Sequence, residues 1–348
     1  MTIPGIFALA TGVPERRYSQ DEAYRQFAGL ELGRDRLARA IFSYTGVGYR
    51  HAVVDAAYYK ENHGTQARNE RYMQEAIPLG KATIEQCLDQ AGLTVDDVDD
   101  LIVVSCTGFN IPGLDLHLAG LMGMRPDLRR ACILGMGCYG AFPGLLRARE
   151  AVASQPERLA LVLALELCSL HLQFENTTEN LISSALFADG AAAALIGDSA
   201  RARRGPALVD ALTHCDYNTF EHMSFNLTDH GFRMYLSSYV PDLLAAQIED
   251  FVAALLARNG LCRDDVRFWG IHPGSQKILD YVQERLALAD EQMESSRAVL
   301  YEYGNMSSPT ILFVLDRIQR CAQPVSGDYG VLLAFGPGLT MESLLVRW

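Results

Sequence analysis

The sequence has 348 residues, 49% of them hydrophobic and 21% charged, with a formal net charge of −12. That length predicts two packed domains or one large pseudo-symmetric unit with a sizeable core. The acidic balance excludes a general nucleic-acid binder, which needs a basic footprint, and it requires that any anionic ligand be met by locally clustered arginines.

The opening MTIPGIFALATGVP is apolar, but no basic region precedes it and Pro4, Gly5 and Gly12 interrupt it. It predicts a first strand and turn, not a signal peptide. Ile77–Ala91 has helical periodicity and is closed by Gly92. The short apolar runs LIVVS (101–105), ACILGMG (131–137), LALVLALEL (159–167) and AAAALIGD (191–198) predict buried strands, with a helix over Gly144–Val152 between the second and third. Strands alternating with helices indicate an α/β fold with mostly buried sheets.

The segment AGLTVDDVDDLIVVSCTG (91–108) has the same pattern as NGLCRDDVRFWGIHPGS (259–275). Each carries Gly-Leu after a small residue or Asn, then Asp-Val after an acidic residue, then a strand ending in a polar loop. This predicts an internal duplication, one half over 1–200 and the other over 201–348, with the boundary near RARRGPA (201–207). Two similar βα layers would then pack together, with a site between the ends of their strands. No run of ~18 apolar residues occurs, so no membrane span is expected. The eight cysteines show neither CxxC nor zinc-ligand spacing. They read as reduced thiols of a cytosolic protein, one of them available as a nucleophile.

Three positions carry the chemistry. Cys138 lies in ILGMGCYGAFPGLLRARE, where a strand runs through Gly135 and Gly137 into a helical segment. A thiol there is expected near a helix N-terminus, whose amides and dipole favour the thiolate, and the flanking Gly137 and Gly140 are expected to let a substrate carbonyl approach the backbone. His272 ends an apolar run before Pro-Gly in FWGIHPGSQKILD, a placement that points an imidazole into a cleft. Asn305 occupies a Gly-Asn turn before a helical segment in YEYGNMSSPTILFVLDRIQR. Near the C-terminus, Gly336, Pro337 and Gly338 form a turn between two strand-like runs.

In this order the residues resemble the thiolase superfamily of condensing enzymes over essentially the whole chain. TGVGYRHAV (45–53) is similar to a segment near the start of ketoacyl-ACP synthase III enzymes, and ALFADGAAAALI (185–196) to the Phe-x-Asp-Gly-Ala strand of the decarboxylating branch. Within that branch HPG (272–274), GNMSSPT (304–310) and FGPGLTME (335–342) resemble the chalcone-synthase-like enzymes, the type III polyketide synthases. The resemblance implies a five-layered αβαβα thiolase fold in a homodimer. It also implies that Cys138 holds the growing acyl chain while His272 and Asn305 donate to the carbonyl of malonyl-CoA. The substrates would be acyl-CoA and malonyl-CoA, with no metal, flavin or nicotinamide required.

Further positions carry over from the same resemblance. Phe187 matches a gatekeeper phenylalanine between the CoA tunnel and the cavity, and Met234 stands where plant enzymes place a second. Ile111 in FNIPG matches a residue reaching across the dimer interface into the partner's cavity. Ser307 matches a cavity-lining position, and Gly274 and Ser275 match positions where the backbone meets CoA. Arg50, with Arg34, Arg36 and Arg39, lies where relatives place basic residues for the CoA phosphates. ELCSL at the start of ELCSLHLQFENTTEN (166–180) looks like bacterial members, and its apolar first half favours a fatty acyl starter and an alkylpyrone or alkylresorcinol product. The alternatives are a ketoacyl-ACP synthase III, a papain-type Cys–His–Asn hydrolase, or a non-catalytic thiolase-fold subunit.

Overall fold

The runs at 100–105 and 160–167 form strands in which every residue is buried, the signature of parallel strands covered on both faces. The computed structural model describes residues 3–28, 36–173, 177–200, 205–221, 223–236 and 240–348. The first half begins with β1 (Pro4–Gly12), β2 (Arg17–Ser19), α1 (Gln20–Ala28), α2 (Arg36–Tyr44), β3 (Tyr49–His51) and α3 (Thr65–Ala91). It continues with β4 (Asp100–Ser105), α4 (Leu114–Met122), β5 (Arg129–Leu134), α5 (Ala141–Ser154), β6 (Ala160–Leu167), α6 (Thr178–Leu186) and β7 (Asp189–Asp198). The second half opens with β8 (Ala207–Cys215), β9 (Met223–Thr228), β10 (Gly231–Leu236), α7 (Val240–Arg258) and β11 (Val266–Ile271). It closes with α8 (Gln276–Arg285), α9 (Asp290–Tyr303), α10 (Thr310–Arg317), β12 (Tyr329–Gly336) and β13 (Thr340–Arg347).

Nine strands join in the order β11-β12-β13-β8-β1-β7-β6-β4-β5. β4 is parallel to β5 and β6, and β11 is parallel to β12, while the remaining pairings are antiparallel. The two halves of this sheet touch only lightly, through Gly5 and Ala207 of β1 and β8. Between them lies a core in which Phe142 and Leu145 of α5 and Ile311, Leu312 and Leu315 of α10 meet Val162, Leu332 and Leu344. Ile84 and Leu118 of α3 and α4 cover the outer face of the first half. Leu255, Leu279 and Leu300 of α7, α8 and α9 cover that of the second. The layers are therefore α3/α4, sheet, α5/α10, sheet, α7–α9, the αβαβα order of the thiolase fold.

The two matched segments have the same local build. Gly92 (φ 68°) and Gly260 (φ 66°) end α3 and α7 in the left-handed region that favours glycine. Each is followed by a 3₁₀ turn in which an aspartate three residues on accepts from a main-chain N–H. Asp97 takes the N–H of Thr94 and Asp265 that of Cys262, both at 2.8 Å, before β4 and β11 begin. Residues 201–204 of the expected boundary lie outside the described residues.

The run at 131–137 departs from its expectation. It forms β5, but β5 ends the sheet with β4 as its only neighbour, and most of its residues are exposed in the single chain. Its apolar content is that of a covered strand, which sequence alone cannot tell from an edge.

Candidate active site

Beyond β5 the chain turns through Gly135 (φ 73°) and Gly137 (φ 69°) and makes a 3₁₀ turn over Gly137–Tyr139 before α5 starts. Cys138 sits at its centre. Both flanking glycines sit where a side chain would collide with neighbouring elements. A Cβ on Gly137 would stand 2.6 Å from Pro337 Cδ, and one on Gly140 would stand 2.9 Å from Val104 Cγ1. Gly140 admits packing against β4, and Gly137 admits close packing of the nucleophile turn against the loop between β12 and β13. Gly336 completes that contact, since a Cβ there would lie 2.6 Å from the Tyr139 ring and 3.5 Å from Cys138 N.

His272 follows β11 directly and is 1% exposed. Its main-chain N–H donates to Leu333 O at 2.8 Å, continuing the sheet. Neither ring nitrogen has a hydrogen-bond partner among the described residues. Gly274 folds back over the ring, so that a Cβ on it would lie 3.7 Å from His272 Cδ2. The carbonyl of Gly274 accepts from Asn305 Nδ2 at 3.2 Å, which ties the histidine loop to the asparagine turn. Asn305 Oδ1 accepts from Ser307 N at 2.8 Å, and Ser307 holds a left-handed φ of 60°. Non-glycine residues in that region cluster at functional turns. The Ser307 hydroxyl lies 3.7 Å from Cys106 Sγ, and Ser307 and Asn305 both act on the Cys138 thiol, favouring its ionised form.

Burial sets the protonation of this group. It pushes the Cys138 thiol up to about 11, against the smaller opposing effect of the Ser307 and Asn305 hydrogen bonds. It pushes the His272 imidazole down to about 3. The expectation of an acidic Cys138 beside a helix N-terminus meets an opposing effect, because desolvation of the buried sulfur raises its pKa. Each group is neutral when taken singly. Passing a proton from Sγ to the imidazole would create two opposite charges at once and leave the net charge unchanged.

A cavity of about 60 Å³ opens at Cys138. Leu172, Phe187, Phe225, Phe232 and Met234 give it an apolar wall, while Cys106, Thr107, Cys168, His171 and Ser307 form its polar side, with Pro337 at the turn. Phe187 is fixed by main-chain bonds on both sides of Asn305: Asn305 N donates to Leu186 O at 3.0 Å, and Ala188 N donates to Asn305 O at 2.9 Å. The β9–β10 hairpin supplies Phe225, Phe232 and Met234, and the first two rings stack with centroids 5.2 Å apart. His272 and Asn305 stand behind this lining.

Several contributors were not read from sequence. Glu166, fully buried at the end of β6, accepts from Cys106 N (2.9 Å), Thr107 Oγ1 (2.7 Å) and Ser308 Oγ (2.6 Å). It thereby pins the loop after β4 to the Asn305–Ser308 turn. His171 Nε2 bonds Thr107 O at 2.6 Å, and its Nδ1 accepts from Phe232 N at 3.2 Å. Cys106 and Cys168 immediately follow β4 and β6. A thiol just past the C-terminal end of a parallel strand was the signal that could have found them.

The remaining expected positions divide. Ser275 caps α8, accepting from Ile278 N at 3.3 Å, and Gly338 (φ 68°) completes the turn against Phe220. Ile111 is 82% exposed. Arg36 and Arg39 are exposed on α2, and Arg34 lies outside the described residues. Arg50 is corrected: it is 5% exposed and turned inward, and its guanidinium donates to main-chain oxygens of Ser184, Ala185 and Phe187, where no phosphate can reach it. Among the described residues no group of three or more His, Cys, Asp or Glu side chains is placed to hold a metal ion. No described helix is long and apolar enough to cross a membrane.

Comparison with known proteins agrees with this geometry. The family profile described as Chalcone and stilbene synthases, N-terminal domain, matches residues 56–200, and the corresponding C-terminal domain matches residues 208–348. The 1,3,6,8-tetrahydroxynaphthalene synthase of Streptomyces peucetius subsp. caesius is 36% identical over 99% of this chain and 93% of its own length. The alpha-pyrone synthesis polyketide synthase-like Pks18 of Mycobacterium tuberculosis is 29% identical over 99% of this chain and 91% of its own length. The crystal structure of 1,3,6,8-tetrahydroxynaphthalene synthase from Streptomyces coelicolor A3(2), a bacterial type III polyketide synthase, superposes with a TM-score of 0.92 at 30% identity over 99% of each chain.

Proposed function

The chain belongs to the chalcone and stilbene synthase family, the type III polyketide synthases, and on that premise we propose that Cys138, His272 and Asn305 extend an acyl-CoA starter with malonyl-CoA units. The observation that supports this is a buried thiol at a cavity, with the Asn305 amide that acts on it tied through Gly274 O to the loop of a buried imidazole.

The starter thioester reacts first. His272 takes the Cys138 proton as the sulfur attacks, CoA leaves as the thiol, and the acyl group stays on Cys138. Malonyl-CoA then binds with its thioester carbonyl toward His272 and Asn305 Nδ2. The carbon–carboxylate bond breaks, CO₂ leaves with no electrons, and the pair left behind becomes an enolate stabilised by those two donors. The enolate carbon attacks the Cys138 thioester and expels the thiolate, giving a β-ketoacyl-CoA two carbons longer that reloads the cysteine. Each cycle balances without an electron carrier or metal, so the reaction is proposed as cofactor-free. Release follows by lactone, aldol or Claisen closure in the same cavity.

For the starter, the apolar wall of Leu172, Phe187, Phe225, Phe232 and Met234 supports a fatty acyl chain, and the likeness to the alpha-pyrone synthesis protein supports an alkylpyrone or alkylresorcinol product. The polar side at Cys106, Thr107, Cys168 and His171, with the likeness to tetrahydroxynaphthalene synthase, favours a second reading: a compact polyhydroxylated aromatic product without a tail. The partner is proposed to be a second copy of the chain. Eight free cysteines fit a reducing compartment, and the cytoplasm is proposed as the site of action. The test is incubation of the purified protein with malonyl-CoA and a series of acyl-CoAs, with products identified by mass. Tailed pyrones or resorcinols support the first reading, products built from malonyl units alone support the second, and no condensation product with any starter overturns both.

A further inference from the structure

Arg50 is a buried cation that makes no salt bridge among the described residues. Nη1 donates to Ser184 O at 2.6 Å and Phe187 O at 3.1 Å, and Nη2 donates to Ala185 O at 2.6 Å and to the side-chain oxygen of Gln20. Gln20 Nε2 grips the same segment, donating to Ala185 O at 3.0 Å, and it is held in turn by Thr45 Oγ1 at 2.9 Å. Burying a charge this way is costly unless dipoles replace the water. Here they are the carbonyls that end α6, whose negative end a cation complements. Burial lowers the Arg50 pKa only to about 10, so the guanidinium stays charged at neutral pH.

The segment gripped by Arg50 is the one that carries the site. Phe187 leaves α6 in extended conformation (φ −78°, ψ 149°) and forms a parallel bridge with Asn305. Gly304 fits against it so closely that a Cβ would lie 3.0 Å from Leu186 O and 3.7 Å from Arg50 Cβ. Arg50 therefore binds the carbonyls of 184, 185 and 187 while Asn305 binds the intervening groups at 186 and 188. We propose that Arg50 is a positioning residue, which sets the Leu186–Ala188 rung and through it the placement of the Asn305 amide and the Phe187 ring. The proposal rests on the reading of Asn305 as an enolate donor. It assigns Arg50 to decarboxylation and starter fit, and not to CoA phosphates or to the nucleophile.

The two steps separate it from a merely stabilising arginine. Arg50→Lys keeps the charge but offers a point donor that cannot span three carbonyls. In the full-length protein, Arg50→Lys is expected to load acyl groups on Cys138 within about twofold of wild type while malonyl-CoA decarboxylation falls roughly ten- to hundredfold in kcat, the scale of a small misplacement of a reacting group. The KM for malonyl-CoA should change little. Gln20→Met, which removes one Arg50 acceptor, should show the same split more weakly, and it serves where Arg50→Lys does not fold. Wild-type decarboxylation in the folded variants, or equal loss of loading and decarboxylation, would overturn the proposal. Asn305→Ala run alongside separates the two failures. If it loses decarboxylation and the Arg50 and Gln20 variants do not, only the positioning role falls; if it keeps decarboxylation, the donor reading falls first.

Discussion

A thiol that precedes a helix ordinarily gains acidity, yet burial raises the pKa of Cys138, and desolvation likewise depresses that of His272. In the proposed mechanism thiolate is made when a substrate completes the site, and His272 would serve both the loading step and the enolate. Asn305 would serve only the enolate, because its amide donates and cannot accept a proton. Asn305→Ala should accordingly keep acyl loading and lose malonyl-CoA decarboxylation by ~10²–10³, while His272→Ala loses both. Release of ¹⁴CO₂ from labelled malonyl-CoA, set against intact-mass measurement of the acyl adduct, reads the two steps separately, and unchanged CO₂ release from Asn305→Ala would remove it from the mechanism. These three residues were legible in the sequence because each stands beside glycine or proline at a strand or helix end, where local pattern reports a turn. Arg50 was not: arginine near CoA and arginine under a helix end look alike until the fold shows which way the side chain turns. Glu166 was hidden for the same reason, a carboxylate within an apolar run whose partners come from residues 105–107 and 308.

At the scale of elements, the β9–β10 hairpin shapes the cavity and β13 sets a pH dependence. Met234 on β10 faces the cavity with a flexible thioether, and each buried CH₂ of a fatty starter contributes up to ~0.8 kcal/mol. Met234→Trp should shift the preferred acyl-CoA to shorter chains in a competition assay, and an unchanged chain-length profile would detach the hairpin from starter choice. On β13, Glu342 is 4% exposed and accepts only from Thr213 Oγ1 (2.8 Å), and burial pushes its carboxyl up from 4.5 to about 7. The folded protein then holds a proton that the unfolded chain releases. The resulting stability is complete below about 4.5 and is lost as pH rises through about 7, by up to about 3 kcal/mol. Glu342→Gln removes this slope, so its melting temperature relative to wild type should rise between pH 5 and pH 8, and a constant difference would place the Glu342 proton elsewhere. The strands at 100–105, 160–167 and 189–198 were readable because both their faces are covered and unbroken apolar runs result. The β9–β10 hairpin had no such signal. Its cavity-lining residues, 223–225 and 232–234, mix polar and apolar side chains and look like an ordinary polar strand pair, so Phe225 and Phe232 were missed. The helix starting at Thr65 was read only from Ile77, since its first three turns are charged and its internal Pro78 interrupts the pattern.

The whole molecule leaves one side open. β5 presents an unpaired strand edge, and Phe109, Ile111 and Leu121 beside it are each more than half exposed. Natural sheets rarely leave such an edge bare. A second copy pairing there would bury the patch and carry Ile111 toward the neighbouring cavity, which gives an apolar strand at the sheet's end its physical reason. The protein is therefore expected to run in light scattering at about twice 38.4 kDa, with an interface above ~2,000 Å², and a monodisperse monomer at micromolar concentration would contradict that assembly. The central claim, that this fold exists to hold an acyl chain on one sulfur and lengthen it, is tested most directly at that sulfur. The protein is mixed with an acyl-CoA in the absence of malonyl-CoA, its intact mass is recorded, and the modified peptide is mapped. A single added acyl group on the peptide containing Cys138, absent in Cys138→Ala and released as an extended product when malonyl-CoA is added, is the predicted result; an adduct on Cys106 or Cys168 that persists in Cys138→Ala, or no adduct with any acyl-CoA, would contradict it.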